Sequence, residues 1–379
     1  MWPCLSAAPE RLTRWAGPER TDPPASLAAV SEPDAVTYAA AGVDIDAGDR
    51  AVALMRDSVA RATRPEVVGG IGGFAGLFDA RALAGMTRPL LATSTDGVGT
   101  KVVVAQRMDV HDTIGQDLVA MLVDDVVVCG AEPLFVTDYI ACGSVVPERI
   151  AAIVSGVAEG CRLAGAALLG GETAEHPGLL APDEYDIAGA VTGVVEADAL
   201  LGAHRVASGD AVIALASSGL HANGYSLARH VFFDVAGWDL DRHVDELGRT
   251  LGEEMLKPTR IYAPDCLALI DSVDVHAMSH ITGGGLAANI DRVLPDGVGA
   301  VLDRSTWTRP PVFTVLHDLG VGRDELERTF NVGVGMALVL AEADVPAALS
   351  LLAERGVPAW RLGTVGAGEQ TRVEGSHPA

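Results

Sequence analysis

The stretch STDGVGTK, residues 94–101, places an aspartate, a threonine and a lysine around a glycine-containing turn. Lys101 is one of only two lysines in 379 residues, the other being Lys257, and arginine fills the remaining basic positions. A biased base composition explains the shortage of lysine most simply. A lysine that persists where arginine is the rule also indicates a need for a compact point charge on a flexible stem.

Carboxylates recur in two further segments, a predicted helix with Asp124 and Asp125 and the glycine-rich GGETAEHPG with Glu172. Together with Asp96 they supply hard oxygen ligands on separate elements. Such a set suits Mg²⁺, which binds a few carboxylates and completes its shell with water and phosphate oxygens. Lys101 beside them could neutralise a γ-phosphate. Alternatively, adjacent acids on a helix form a solvated face, although valines flank this pair on both sides.

His221 in SGLHANG and His280 in SHITGGG lie in polar, glycine-adjacent loops at the ends of strand-like runs. A histidine in such a loop could reach a ligand as a general base. Next to His280, three glycines open a predicted helix and could hold a phosphate through exposed N–H groups; they are Gly283, Gly284 and Gly285. The alternatives are surface histidines and ordinary turns.

Neither glycine-rich segment of the N-terminal half matches a standard nucleotide loop. A Walker A loop requires lysine directly after glycine, and Thr100 intervenes between Gly99 and Lys101. The cluster GGIGGFAG, residues 69–76, follows a predicted helix, whereas a dinucleotide-binding fingerprint follows a strand.

Alternating helical and strand-like segments from Tyr38 onward must position these groups. We predict a helix over 42–62 capped by Asp44 or Asp46, a helix over 113–129 and a helix that starts at Pro147. The predicted strands span residues 89–95, 134–141, 166–169, 191–196, 211–216, 332–340 and 360–365.

A polar, turn-rich segment near residue 205 separates two halves of similar size. The predicted fold class is α+β, with two α/β-layered domains. We expect a disordered N-terminal extension over residues 1–35, domains over 36–204 and 205–366, and a flexible tail over 367–379.

Composition limits the classes of function. A net charge of −24 opposes binding to nucleic acid or an anionic membrane, and the apolar runs are too short to span a bilayer. Five cysteines without a Cys-x-x-Cys motif predict reduced thiols in a cytoplasmic protein.

Eleven motifs in register, from about residue 38 to 365, resemble the phosphoribosylformylglycinamidine cyclo-ligase family, also called AIR synthetases. They include AGVDIDAGDRAV, STDGVGTK, HDTIGQDLVAM, GGETAEHPG, SSGLHANGYS, LKPTRIY and HAMSHITGGG. The resemblance implies a homodimer in which the N-terminal halves of two subunits build a shared β-barrel, with ATP near that interface, and a C-terminal α/β sandwich.

The resemblance also implies the fifth step of purine biosynthesis. ATP phosphorylates the formyl amide oxygen of the amidine substrate FGAM, and the imidate is attacked by nitrogen to give the aminoimidazole ribotide AIR, ADP and phosphate. Charge neutralisation and in-line positioning are what such a phosphoryl transfer needs.

Matching motifs assign roles residue by residue. Phosphate and metal contacts fall on Asp96, Gly97, Gly99, Thr100 and Lys101, and a mobile phosphate cover on Gly69, Gly70, Gly72 and Gly73. The family commonly has Asn-Asp where this chain has two aspartates, which ranks Asp125 above Asp124 as the metal ligand. Glu172 is a further ligand or adenine-side candidate, and His221 and His280 are acid, base or substrate partners. Residues 283–285 are expected to cradle the ribose 5-phosphate.

Two other classes of protein compete with this interpretation. One is another ATP-dependent member of the same superfamily, such as thiamine-phosphate kinase, selenophosphate synthetase or the FGAM-forming amidotransferase. The other is a nonenzymatic acidic scaffold dimer whose glycine corners are structural.

Overall fold

The structure, a computed structural model, describes residues 38–378, so the predicted N-terminal extension lies outside the described residues. Its helices are α1 (Ile45–Arg61), α2 (Val102–Met108), α3 (Ile114–Val127), α4 (Pro147–Ala164), α5 (Tyr225–Arg229), α6 (Leu251–Met255), α7 (Ala263–Ile270), α8 (Gly285–Asp291), α9 (Pro311–Asp318), α10 (Arg323–Thr329) and α11 (Val345–Glu354).

Its strands are β1 (Val67–Val68), β2 (Leu77–Phe78), β3 (Pro89–Gly97), β4 (Glu132–Cys142), β5 (Ala167–Glu175), β6 (Tyr185–Glu196), β7 (Ala211–Ala216), β8 (His243–Val244), β9 (Arg249–Thr250), β10 (Val275–His280), β11 (Val298–Asp303), β12 (Val334–Leu340), β13 (Ala359–Ala367) and β14 (Arg372–Glu374).

The N-terminal sheet has the order β3-β6-β4-β5, antiparallel except for the parallel pair β4 and β5. Helices α3 and α4 pack on one face, and α1 packs on α4. Along β3, Leu90 and Ala92 turn toward the helices, while Leu91 on the other face is 65% exposed. This alternation is typical of a sheet with one covered face, and the described part of the chain does not close it into a barrel.

The C-terminal sheet has the order β10-β12-β7-β13-β11-β14. Side chains of β7 alternate between two cores, because Ile213 and Leu215 join the core shared with the N-terminal domain while Val212 and Ala214 join the one beneath α8. Every residue of β12 is buried. A sheet buried on both faces forms the expected sandwich, so two α/β-layered domains are confirmed.

Several local predictions are confirmed and others need correction. Asp44 caps α1, its Oδ1 accepting from the N–H of Ala47 at 3.1 Å. Strand β12 begins at Val334 and not at Val332, because Val332 has φ +48°, which ends an extended run. The tail predicted to be flexible contains β14, which pairs in parallel with β11.

Sheet membership changes between Glu196 and Ala211, around the domain boundary expected near residue 205. No helix within residues 38–378 is both long and apolar enough to cross a bilayer.

Candidate active site

A polar cluster lies where the two domains meet. The end of β3 brings Asp96, the last turns of α3 bring Asp125, and the end of β10 brings His280. His280 Nδ1 lies 2.9 Å from Asp125 Oδ1, and Ser94 Oγ donates to Asp125 Oδ2 at 3.3 Å. The Asp125 side chain is 38% exposed and that of His280 only 3%, so the carboxylate opens the cluster toward solvent.

The charges of this cluster shift one another's protonation. Burial raises the pKa of Asp96 and the neighbouring Asp125 carboxylate raises it further, against the opposing effects of the Gly97 N–H and His280. Burial alone would lower the pKa of His280, but the hydrogen bond to Asp125 and the charges of Asp124, Asp125 and Asp96 raise it overall. Nε2 of His280 is buried and has no hydrogen-bond partner among residues 38–378.

Asp124 makes its hydrogen bonds to the C-terminal domain and not to Asp96, Asp125 or His280. It is fully buried, and its Oδ1 accepts from the backbone N–H groups of Tyr262 and Ala263 at 2.9 and 2.8 Å, at the start of α7. Burial raises its pKa to about 7. Asp124 therefore joins α3 to the C-terminal domain, and Asp125 is the member of the pair that stands beside Asp96.

Lys101 is also turned away from the cluster. Its side chain is fully buried, and Nζ donates to Asp117 Oδ1 at 2.8 Å and to the carbonyl oxygens of His221 at 3.1 Å and Lys257 at 2.7 Å. An ammonium group has three donors, and all three are engaged. This corrects the expectation that Lys101 contacts a phosphate, because no donor is left for one.

The ring nitrogen Nδ1 of His221 carries the proton and can donate a hydrogen bond. The N–H of Ser218 donates to its Nε2 at 3.1 Å, so the ring proton of the neutral imidazole is on Nδ1. Burial, then the charges of His280 and Lys101, lower the pKa of His221 well below its ordinary value. Nδ1 is buried without a partner among the described residues. Among the acid, base or substrate roles expected for His221, this geometry fits a hydrogen-bond donor better than a general base.

The two glycine-rich segments differ in exposure and in the contacts that hold them. Residues 69–76 connect β1 to β2 as an exposed hairpin loop, and Phe74 at its tip is fully exposed. Gly283 lies beside Asn223, and Gly284 and Gly285 take φ of +99° and +75°. These angles favour glycine. Asn289 Nδ2 donates to the carbonyls of residues 282, 283 and 285 and so fixes this loop.

Two other predicted site residues, Thr100 and Glu172, make contacts outside the cluster of Asp96, Asp125 and His280. Thr100 Oγ1 lies 3.1 Å from Ser226 Oγ, across the domain junction. Glu172 is exposed on β5, the edge strand of the N-terminal sheet, and its Oε1 accepts from the N–H of Thr173. Neither residue contacts Asp96 or Asp125.

Sequence reasoning missed the residues that hold the two domains together. Asp117 of α3 accepts from Lys101 and from both the N–H and the hydroxyl of Thr259. Asp117 lies in the motif HDTIGQDLVAM, where an acid directly before an apolar run was the available signal. Ser94, which supports Asp125, was visible only as part of STDGVGTK.

The donor set fits a divalent cation of the magnesium type. No group of three or more histidine, cysteine, aspartate or glutamate side chains within residues 38–378 forms a metal cage. Mg²⁺ does not need one, because it commonly binds one or two carboxylates together with substrate phosphates. Asp96 and Asp125 repel each other in a half-buried position, and a cation between carboxylates relieves that repulsion.

Two sequence families match the chain: AIR synthase related protein, N-terminal domain, over residues 79–195, and AIR synthase related protein, C-terminal domain, over residues 207–376. With the one-faced N-terminal sheet, the sandwiched C-terminal sheet and the site at their junction, these matches define an AIR synthase related protein.

Closer relatives narrow this class. The chain is 54% identical over 340 residues to the phosphoribosylformylglycinamidine cyclo-ligase of Anaeromyxobacter sp. (strain Fw109-5), across 89% of this chain and 98% of the relative. It is 51% identical over 335 residues to the protein of the same name from Geobacillus kaustophilus (strain HTA426), across 88% and 96%. The chain therefore belongs to the phosphoribosylformylglycinamidine cyclo-ligase family, and it is a ligase of that type.

The fold is shared more widely. The structure of thiamine-monophosphate kinase from Stenotrophomonas maltophilia K279a superposes with a TM-score of 0.64 at 20% identity, over 85% of this chain and 96% of that one. Fold alone thus does not separate the competing superfamily members, whereas sequence identity above 50% to the cyclo-ligases does.

Proposed function

We propose that this protein catalyses the ATP-dependent cyclisation of FGAM to AIR, with release of ADP and phosphate through an O-phosphorylated imidate. The observation that carries the proposal is the cluster of Asp96, Asp125 and His280 at the domain junction, with His221 near enough that, besides burial, the charge of His280 lowers its pKa. Together these residues combine carboxylates for a cation with two buried imidazole nitrogens that lack hydrogen-bond partners in the described part of the chain. The 54% identity to a phosphoribosylformylglycinamidine cyclo-ligase supports the choice of substrate.

In this proposal Asp96 and Asp125 hold Mg²⁺, which supplies the positive charge that phosphoryl transfer requires. His221 Nδ1–H donates a hydrogen bond to the oxygen that gains charge on the substrate, in a buried position where such a bond is strong. Asp125 holds the Nδ1–H of His280, so Nε2 is oriented to exchange the proton that the amidine nitrogen loses. The nitrogen attacks the imidate carbon, and phosphate leaves with the oxygen.

The remaining contacts to phosphate fall on backbone donors, since the ammonium group of Lys101 is engaged elsewhere. We propose that residues 69–76 close over ATP, with Gly97, Gly99 and Thr100 as further contacts, and that Gly283, Gly284 and Gly285 receive the ribose 5-phosphate. Main-chain N–H groups hold an anion without adding net positive charge, which matters in a chain of net charge −24. Glu172 is proposed on the adenine side.

We further propose a homodimer in which a second copy covers the open face of the N-terminal sheet. That face carries Leu91, which is 65% exposed, and Tyr139, which is 41% exposed, with Thr93, Thr95 and Thr137 around them. Exposed apolar side chains on a flat surface mark an interaction site. Cytoplasmic location is part of the same proposal, and the four described cysteines are free thiols.

The test is turnover of synthetic FGAM by the purified protein with Mg²⁺ and ATP. We expect ADP release that depends on FGAM, together with AIR detected as a diazotisable amine. Thiamine monophosphate in place of FGAM is the matched control and should give no ADP. If FGAM yields no AIR, or thiamine monophosphate is phosphorylated, the proposal is wrong.

A further inference from the structure

Lys101 and Asp117 form an ion pair on the N-terminal side of the domain junction, and both side chains are fully buried. Lys101 directly precedes α2 and Asp117 lies in the first turn of α3, so both belong to the N-terminal domain. Their other partners, His221, Lys257 and Thr259, all belong to the C-terminal domain. The pair therefore anchors two C-terminal loops on the N-terminal domain.

The geometry identifies the charge state of this pair. Burial lowers the pKa of Lys101 and raises that of Asp117, while each charge opposes the effect on its partner. Three acceptor oxygens surround Nζ at 2.7 to 3.1 Å, and a neutral amine would turn its lone pair toward one of them. Asp117 Oδ1 accepts three hydrogen bonds, as an ionised carboxylate can. These contacts fit the charged forms of both groups.

The hydrogen bond from Lys101 acts on His221, whose backbone is left-handed at φ +63°. This conformation is uncommon for residues other than glycine and needs support from its surroundings. The ammonium group of Lys101 holds the carbonyl of His221, and the N–H of Ser218 holds its ring Nε2. Together these bonds fix both the peptide and the imidazole.

We propose that Lys101, balanced by Asp117, is a positioning residue that holds the carbonyl of His221 and thereby aims the His221 Nδ1–H into the site between the domains. The catalytic consequence rests on the proposed function, whereas the effect on the ring does not. Lys101 acts through His221 and touches no phosphate.

The first experiment reads the ring itself by ¹⁵N NMR of histidine-labelled protein, with His221→Ala used for assignment. The variant carries Lys101→Met together with Asp117→Asn, so that no unpaired charge is left buried. We expect the wild-type signal to show one tautomer, protonated at Nδ1, and the double variant to show a mixture. A variant with Lys101→Gln and Asp117→Asn keeps one donor and should be intermediate.

Ser218→Ala is the matched control, because Ser218 Oγ also joins these two loops, through Pro258 and Arg260, without touching His221. It should leave the ring signal unchanged. An unchanged His221 signal in the folded double variant would overturn the proposal, whatever reaction the enzyme catalyses.

The second experiment is a double-mutant cycle on turnover. We expect the Lys101→Met, Asp117→Asn variant to lose about 30-fold or more in kcat with less than about threefold change in KM for ATP. In a His221→Ala background the same two substitutions should cost less than about threefold, because coupled residues are not additive. Full additivity, or a loss confined to KM for ATP, would contradict positioning through His221.

Discussion

The two adjacent aspartates of α3 have different contacts: Asp125 lies beside His280, whereas Asp124 binds backbone N–H groups of the C-terminal domain. We expect Asp125→Asn to lower FGAM-dependent turnover by about 10²-fold or more, since it removes a charge that faces Asp96 and His280. Asp124→Asn keeps an oxygen for the N–H groups of Tyr262 and Ala263 and should cost less than about tenfold. The measurement is ADP release against Mg²⁺ concentration. Equal losses in the two variants would contradict this assignment.

His221 allows its donor function to be separated from its backbone conformation. His221→Asn keeps a side-chain N–H and tolerates φ +63°, so we expect a loss of only about tenfold in kcat. His221→Ala removes the donor and should lose about 10²-fold or more in kcat, and it should lower the free energy of unfolding by about 2 kcal/mol because the buried imidazole leaves a cavity. Steady-state kinetics and urea unfolding check the two effects. Equal activity of both variants would exclude a donor role.

Sequence could identify Lys101 as unusual but not its partners. Asp117 lies 16 residues away, and His221 and Lys257 belong to the other domain, so no local spacing connects them. Motif matching assigned the lysine to a phosphate because lysine beside an aspartate and glycines is typical of such sites. Asp125 and His280 were each predicted as site residues, but from separate motifs, and their contact emerges only when β10 meets α3.

The crossing of α3 and α4 depends on two glycines. A Cβ on Gly115 would lie 2.1 Å from the backbone nitrogen of Val157, and one on Gly156 would lie 2.3 Å from the carbonyl oxygen of Asp112. We expect Gly115→Ala to lower the free energy of unfolding by at least about 2 kcal/mol, because the helices must separate. Gly48→Ala in α1, where, apart from its chain neighbours and the backbone of its own helix, no atom of residues 38–378 lies within 4 Å of the added Cβ, should raise it by about 0.5 to 1 kcal/mol. Urea denaturation measures both.

Strand β5 shows why element boundaries were only partly predictable. The strand was expected over 166–169, with a glycine corner after it, but it runs through Gly170 and Gly171 to Glu175. A Cβ on Gly171 would lie 1.7 Å from Asp138 Oδ1. The glycine is thus required by a buried carboxylate on the neighbouring strand and not by a turn. Periodicity located the buried helices well because their apolar faces are local in sequence.

Asp138 should also make the stability of the fold depend on pH. Burial raises its pKa from the ordinary 3.8 to about 7. A raised folded pKa gives a contribution that is fully present below pH 3.8 and is lost as the pH rises through about 7. Between pH 5 and 8 we expect the wild type to lose about 2 to 3 kcal/mol relative to Asp138→Asn.

Denaturation at both pH values measures this difference, and Asp186→Asn on β6, an exposed position, is the control that should keep the wild-type pH dependence. Parallel pH profiles of Asp138→Asn and the wild type would show that the carboxyl of Asp138 is already ionised at pH 5.

Assembly should depend on the open face of the N-terminal sheet. Leu91→Arg places a charge on that face, at its edge strand β3, and we expect it to convert the dimer to monomer in sedimentation velocity. Leu163→Arg changes a residue that is 44% exposed on α4, on the helical side of the same domain, and should leave the dimer intact. A dimer that survives Leu91→Arg but not Leu163→Arg would place the interface on the helices.

The scarcity of lysine has a practical consequence. Apart from an α-amino group, amine-reactive dyes can meet only Lys101 and Lys257, and the first is shielded completely from solvent. Conjugation should therefore occur at Lys257, whose side chain lies against Gly219. A fluorophore there would lie beside the junction of the two domains, where its emission should respond to a bound ligand without an introduced cysteine.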